Sequence, residues 1–267
     1  GTTNGHKSEP SPEILRAFQC EGSHERLAGG EGRSFKIGDQ VLKPVDDVAQ
    51  HEWSCGIISQ LDSPAFRISK PIRSQSGTYV YKGWAATRYE PGSHLKGNWQ
   101  QKVEVGLGFH AKVNRLPWKG LPKSSDRWTY AHDIVWGRRQ LPTNQHPIIN
   151  QYVLDLLGRL RDIPYTEALI HGDLCGNILF SENAAPLVID FSPAVAPIEY
   201  AQAIIVADAI VWEDAPLELI DELPKRINRE QMLLRAICFR IIVVALFSPM
   251  DVALFMREYS DFEPMIN

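Results

Sequence analysis

The chain has 267 residues, of which 44% are hydrophobic and 22% charged, proportions of an ordinary globular protein with length enough for one large domain or two lobes. A net charge of −4 and a pI near 6.1 leave no basic footprint for nucleic acid, and Cys20, Cys55, Cys175 and Cys238 form no C-x-x-C pair, which argues against a zinc knuckle or disulfide scaffold and fits a reducing cytoplasm. No apolar run reaches the ~18 residues of a membrane span; the longest, RIIVVALFSPM at 240–250, is bounded by Arg240, broken by Pro249, and reads as a buried helix.

Charge is uneven along the chain. Residues 1–90 hold 11 Lys/Arg and 11 Asp/Glu, whereas 91–267 hold 17 and 21. An acidic half would attract a cationic substrate, or is simply a solvated surface. No secretory signal is visible, and the opening GTTNGHKSEP, without an initiator Met, reads as a processed or appended tail.

The first third reads as mostly β with one helix. Residues 27–45 contain a Gly-rich turn between strands, a second turn at Gly38-Asp39, and a strand ending near Lys43. Residues 46–61 set apolar side chains at 53, 57, 58 and 61, one helical face behind an acidic first turn. FRISKPIRS and GTYVYKGWAATRYEPG read as strands, with Lys82-Gly83 as a tight hairpin turn. Pro91-Gly92 ends that run and marks the expected boundary between an N-terminal lobe, 1–90, and a C-terminal lobe, 91–267. The remainder reads as mainly helical. Helical spacing runs through NWQQKVEVGLGFHAKVN and PIINQYVLDLLGRLRDI, and further helices are expected near 198–213, 228–247 and 250–260. Short apolar strands flank the polar centre of LIHGDLCGNILF (169–180), and APLVIDFSP (185–193) is another.

That polar centre needs a reason. His171, Asp173 and Asn177 between buried strands are costly unless something pairs with them. In one reading they form a plain turn, bent by Gly172 and Gly176, with Asp173 capping a backbone amide. In the other they carry chemistry. Thirteen residues on, Asp190 ends an apolar strand. Phosphoryl transfer needs a group to orient or deprotonate a hydroxyl, and oxygen ligands to hold magnesium against phosphates. Asp190 and Asn177 offer such oxygens.

On these residues the chain resembles the kinase-like phosphotransferases of the aminoglycoside phosphotransferase and choline kinase family. That family's His-Gly-Asp-Leu-His-x-Gly-Asn, followed by Ile-Asp-Trp or Ile-Asp-Phe, has counterparts in His171-Gly172-Asp173-Leu174-Cys175-Gly176-Asn177 and Ile189-Asp190-Phe191. A closer likeness is to an actinobacterial branch of it. The resemblance implies an α+β, bilobal protein-kinase-like fold, with a small β-rich N-lobe for nucleotide and a larger helical C-lobe for catalysis and substrate. It implies Asp173 as catalytic base, His171 as a prop for the loop, Asn177 and Asp190 as Mg2+ ligands, and ATP or GTP as phosphoryl donor. One departure stands out: three residues, not four, separate Asp173 from Asn177, although the separation from Asn177 to Asp190 is the usual one.

The resemblance extends to the first lobe. Lys43 in VLKPV holds the place of the lysine that contacts nucleotide phosphates, and Glu52 in the next helix is placed to pair with it; otherwise the two are an ordinary strand lysine and an exposed helix glutamate. Gly30, Gly32 and Ser34 would let backbone amides approach phosphates, or merely join strands. Arg88, Tyr89 and Glu90 fall where the family's hinge offers backbone groups to adenine.

After Asp190 a protein kinase would have Gly, then a long activation segment and Ala-Pro-Glu. Here Ser192 replaces the Gly, and Pro197 and Glu199 follow within nine residues of Asp190. The acceptor is therefore expected to be a small molecule. Glu199, Asp208, Glu213 and Asp214, with Trp99, Trp118, Trp128, Trp136 and Trp212, are candidates to line its site, though most such residues are solvated or core. Arg138-Arg139 would suit an anionic acceptor, and Cys175 reads as loop packing. The expected activity is a small-molecule kinase acting on a hydroxyl of a metabolite or antibiotic, an aminoglycoside among the candidates. The competing reading, drawn from the short loop, is a nucleotide-binding pseudo-kinase serving as sensor or scaffold. The sequence says nothing of oligomeric state.

Overall fold

The computed structural model describes residues 9–27, 33–225 and 228–266. They fall into two units: the first comprises the chain up to Ser93 with Leu116–Lys123 and Leu179–Asp190, the second His94–Arg115, Ser124–Ile178 and the chain from Phe191 on.

The first unit opens with a helix that periodicity does not announce. α1 (Pro12–Ala17) begins with proline at its first position and with Ser11, whose hydroxyl accepts the Ile14 N–H at 3.4 Å. Strands β1 (His24–Arg26), β2 (Phe35–Ile37) and β3 (Gln40–Pro44) follow, then α2 (Val48–Ile58), capped by Asp47. After β4 (Arg67–Ile68) come β5 (Pro71–Ile72), β6 (Val80–Tyr81) and β7 (Trp84–Arg88). An antiparallel sheet runs β1-β2-β3-β7-β5, with β6 also paired to β7. The β6–β7 hairpin turns on Lys82 and Gly83, both with positive φ (46° and 82°), the two-residue turn whose twist matches that of its strands. Leu42 is fully buried in a core with Ile14, Phe18, Phe35, Ile37 and Ala86. Strand alternation therefore turns its neighbour Lys43, opposite Ala85 of β7, to the other face.

The second unit is built on helices. α3 (Trp99–Val113), α4 (Arg127–Val135) and α5 (Pro147–Leu157) precede β8 (Ala168–His171). The sequence reading missed α4, a short helix whose cap, Asp126, accepts the Thr129 N–H at 2.8 Å. A 3₁₀ turn (Cys175–Asn177) leads into β9 (Ile178–Ser181) and β10 (Ala184–Val188). β10 pairs in parallel with β4, and with β9 they complete a small sheet in the first unit. The chain re-enters the second unit as β11 (Pro193–Ala196), antiparallel to β8, then α6 (Ile198–Trp212), α7 (Arg229–Phe247) and α8 (Val252–Ile266). The fold is α+β, an antiparallel sheet in one unit and mainly helices in the other, as the sequence leads one to expect. Among the described residues no helix is long and apolar enough to cross a membrane.

α6 forms the centre of the helical unit. Every residue from Tyr200 to Ala209 is buried, the all-round pattern of a helix packed on several sides. α3 approaches it closely because residue 106 is glycine: a Cβ there would lie 2.4 Å from Gln202 Oε1 and 2.6 Å from Ile205 Cδ1. Gln202 is itself tied down, its amide donating to the Val103 carbonyl at 3.0 Å. Gly106→Val should therefore overpack this contact and destabilise the protein by about 1–3 kcal/mol, read as a lower urea midpoint. An unchanged midpoint would mean the α3–α6 contact has slack.

Candidate active site

β8 carries the loop, and its polar surroundings are arranged in layers. The Asn114 side chain, at the end of α3, accepts the Leu169 N–H (2.8 Å) and donates to the Leu169 carbonyl (2.9 Å), as a neighbouring strand would. The His171 N–H donates to Nε2 of His110, whose Nδ1 meets Gln202 Oε1. His171 is buried, edge-on to Phe109 and Phe191, and its Nδ1 accepts the Asp173 N–H at 3.1 Å. The Gly172 N–H reaches the Ser192 carbonyl at 2.9 Å; a Cβ at 172 would lie 2.7 Å from Nε2 of His132, so only glycine lets the loop pass here.

The short connection from Asp173 to Asn177 closes as a 3₁₀ turn, the Asn177 N–H bonding the Leu174 carbonyl. It turns the Asn177 amide nitrogen onto Asp173, 2.7 Å from the carbonyl and 3.2 Å from Oδ2, so Oδ1 is the end with which Asn177 can ligate. The Asp173 side chain is 42% exposed, and its Oδ1 accepts from Nη2 of Arg240 at 2.7 Å.

Arg240, on α7, is only 7% exposed. Its guanidinium forks onto Asp208 of α6, Nε to Oδ1 at 2.9 Å and Nη2 to Oδ2 at 2.6 Å, while lying 4.9 Å from the Trp212 ring centre. Burial pushes the Asp208 carboxyl up to about 6, against the pull of Arg240. Burial also opposes the arginine's charge, but Asp208 and Asp173 together hold its pKa above the ordinary value. The sequence alone offers Asp208 only as one of several candidates to line an acceptor site, and Arg240 as the end of an apolar run. The signal available was a single charge inside each of two apolar helices, which demands a partner.

A second strut meets the loop from the end of α6, backed by α3. Glu213, which ends α6, accepts at Oε1 from Lys102 Nζ (2.6 Å), Trp99 Nε1 (3.2 Å) and the Gly97 N–H (3.2 Å). Its Oε2 lies 3.4 Å from Sγ of Cys175. Burial raises the Cys175 thiol well above its usual pKa, with the charges of Asp208 and Glu213 adding, so this thiol stays protonated. Glu213 is thus engaged in holding the loop. Arg138 and Arg139 both pair with Asp133, at 3.5 and 3.1 Å.

In the first unit, Lys43 Nζ lies 2.8 Å from Oδ1 of Asp190, which sits in the left-handed region (φ 49°) that Asp tolerates better than most residues. The expected Lys43–Glu52 pair does not form. Both Glu52 oxygens accept backbone N–H groups, from Tyr79 (3.0 Å) and Val80 (2.7 Å), and the carboxylate is fixed there at the start of β6. Gly30 and Gly32 lie outside the described residues. The Ser34 carbonyl accepts the Leu27 N–H at 2.9 Å, across the β1–β2 connection. Of the hinge residues, the Arg88 N–H is donated to Lys70 and the Tyr89 N–H to Asp39, while Glu90 lies 3.6 Å from Arg67. Among the described residues no group of three or more His, Cys, Asp or Glu could hold a metal on its own.

Two predictions follow from the buried charges. Lys102 is 2% exposed, so Lys102→Met leaves the Glu213 charge buried without its cation and should cost about 3–5 kcal/mol in urea unfolding. A loss under 1 kcal/mol would show that the pair is screened by solvent. The second concerns acid. Burial holds His51 and His110 at about 4 and His132 at about 3. Their folded values lie below that of the unfolded chain, so the stability they contribute is complete above about pH 6.5 and is lost as pH falls through 4. Asp208, raised in the fold, works in the opposite sense between about 6 and 3.8, one carboxyl against three imidazoles. The urea midpoint should drop between pH 7 and pH 4.5, and a flat profile would contradict neutral, buried imidazoles.

No family model matches the sequence, and no curated protein matches it. Solved structures do. Over 95% of its length the chain is similar to choline kinase LicA from Streptococcus pneumoniae, with a TM-score of 0.65, 12% identity and 96% of that chain covered. Over 95% it is similar to a thermostable mutant of aminoglycoside phosphotransferase APH(4)-Ia, with a TM-score of 0.62, 15% identity and 97% of that chain covered. Over 94% it is similar to amicoumacin kinase hAmiN, solved with AMP-PNP, Ca2+ and Ami, with a TM-score of 0.60, 15% identity and 91% of that chain covered. The chain has the kinase-like fold that choline kinase and the aminoglycoside phosphotransferases share.

Proposed function

We propose that the protein is a small-molecule kinase, transferring the γ-phosphoryl of ATP or GTP to a hydroxyl of a metabolite or antibiotic. The observation that carries this reading is the Asp173–Asn177 loop: its backbone is held by buried partners while the Asp173 carboxylate remains half-exposed. Asp173 would orient the acceptor hydroxyl and take its proton, with His171 supporting the loop beneath it. Lys43 would contact the nucleotide phosphates, oriented by Asp190 in place of Glu52. With the N–H groups of Arg88 and Tyr89 already donated, recognition of adenine or guanine falls to carbonyl oxygens of that segment or to Glu90.

Magnesium fits the donors present. Asp190 and the Asn177 amide oxygen are hard oxygen ligands, and Mg2+ is commonly held by one or two protein groups together with substrate phosphates. When bound, it would neutralise phosphate charge as the transferring group separates. The nucleotide and Ca2+ bound to hAmiN, and the AMP-PNP and hygromycin B bound to APH(4)-Ia, support a nucleotide, a divalent cation and a small acceptor here. The chain after Asp190 supports the last point, since it passes through β11 straight into α6 with no room for a peptide-docking segment. Four free cysteines accord with a reducing cytoplasm. A nucleotide-binding pseudo-kinase is the second reading, favoured by the short loop and by Arg240 already occupying one oxygen of Asp173.

One experiment separates them. Mg2+·ATP or Mg2+·GTP near 100 times its Kd should stabilise the protein by about 2.7 kcal/mol on either reading. Only the kinase should then release ADP or GDP in response to a panel of amino sugars, sugars, nucleosides and amino alcohols. Asp173→Asn should lower that turnover roughly 10²–10⁴-fold with nucleotide affinity within a few-fold. Thermal stabilisation without acceptor-dependent turnover would favour the pseudo-kinase, and no stabilisation by either nucleotide would remove both.

A further inference from the structure

The Arg240–Asp208 pair is a costly way to join α6 and α7. Both groups are almost wholly buried, and an apolar pair of similar volume would hold two helices together as well or better. The arginine does not stop at its partner. Nη2, already 2.6 Å from Asp208, also donates to Oδ1 of the half-exposed Asp173 at 2.7 Å. A buried pair serving only the helix contact has no need of a carboxylate on a loop.

The arrangement does two things for Asp173. It fixes the carboxylate's rotamer, with Oδ1 turned inward onto Arg240 and Oδ2 held more lightly, 3.2 Å from the Asn177 amide. It also leaves Asp173 its charge. An arginine alone would form a neutral pair with the base and compete with the acceptor's proton for it. With Asp208 forked on the same guanidinium, the three groups together keep one net negative charge.

We infer that Arg240, aimed by Asp208, is a positioning residue for phosphoryl transfer, which presents Oδ2 of Asp173 to the acceptor hydroxyl. The inference rests on reading Asp173 as the base. In the step it serves, the hydroxyl proton passes to Oδ2 and the hydroxyl oxygen bonds to the γ-phosphorus. The bond from that phosphorus to the β–γ bridging oxygen breaks, and the nucleoside diphosphate leaves with the electron pair.

The test is a double-mutant cycle on kcat and KM, with Mg2+·ATP as donor and water as acceptor, read as ADP release. Arg240→Lys keeps the charge but loses the fork, and should lower kcat roughly 10- to 100-fold, the effect of a misplaced reacting group, with KM for Mg2+·ATP within about three-fold. Asp208→Asn keeps the shape and an oxygen for the Nε–H, and reads the same coupling should Arg240→Lys fail to fold. In an Asp173→Asn background neither change should lower kcat further, because both act through the Asp173 carboxylate. Equal losses in both backgrounds, or no loss in either, would overturn the inference and leave the base reading standing. An Asp173→Asn variant that turns over like wild type would overturn both.

Discussion

A buried guanidinium must have its hydrogens answered, and the answer given to Arg240 organises the helical unit. Its fork onto Asp208 fixes how α6 and α7 face each other, and its remaining hydrogen bond reaches the loop. Around that fixed point the apolar packing closes: His132 lies flat on Phe239 at 3.9 Å and bonds the Tyr200 hydroxyl, while its other nitrogen leaves room only for Gly172. The loop is therefore gripped on one side by α7, through Arg240, and on another by α6, through Glu213 and Cys175. In such a site rigidity comes from the supporting shell rather than from the loop's own short backbone.

The first unit handles charge differently. Lys43 and Asp190 are respectively 30% and 46% exposed, so their ion pair is bathed in solvent and worth little as a stabilising contact. Such a pair can exchange partners at small cost, which suits a lysine and a carboxylate that would each meet a phosphate or a metal. Glu52, by contrast, is spent on two backbone N–H groups, and its work is to fix the start of β6 against α2.

How much of this can be read from residues alone depends on the range of the interaction. The β6–β7 hairpin is legible because its turn chemistry lies within Lys82-Gly83, and α3, α5, α6 and α7 because each sustains an apolar pattern for several turns. α1 and α4 are too short for periodicity and are announced only by their caps, Ser11 and Asp126. The loop of His171, Asp173 and Asn177 stands out by polarity among apolar neighbours, yet its supports do not. Asp208 and Arg240 are 32 residues apart, and each shows in the sequence only as an unanswered charge. Nearness in sequence misleads at Lys43: Glu52 is nine residues away, but the carboxylate that reaches it comes from 147 residues downstream.

β4 has a consequence for how the chain comes into being. Its parallel partner is β10, and the Arg67 Nε–H bonds the Ala185 carbonyl across a separation of 118 residues. Closing so long a loop adds little to the equilibrium cost, which grows only with the logarithm of length, but it takes time. During synthesis the amino-terminal ninety residues emerge long before the strand that covers β4. At a ribosomal pace of about 5–20 residues per second, that edge waits on the order of ten seconds without its native neighbour. A nascent chain of this protein thus passes through a window in which β4 has no strand beside it and is open to pairing with other chains.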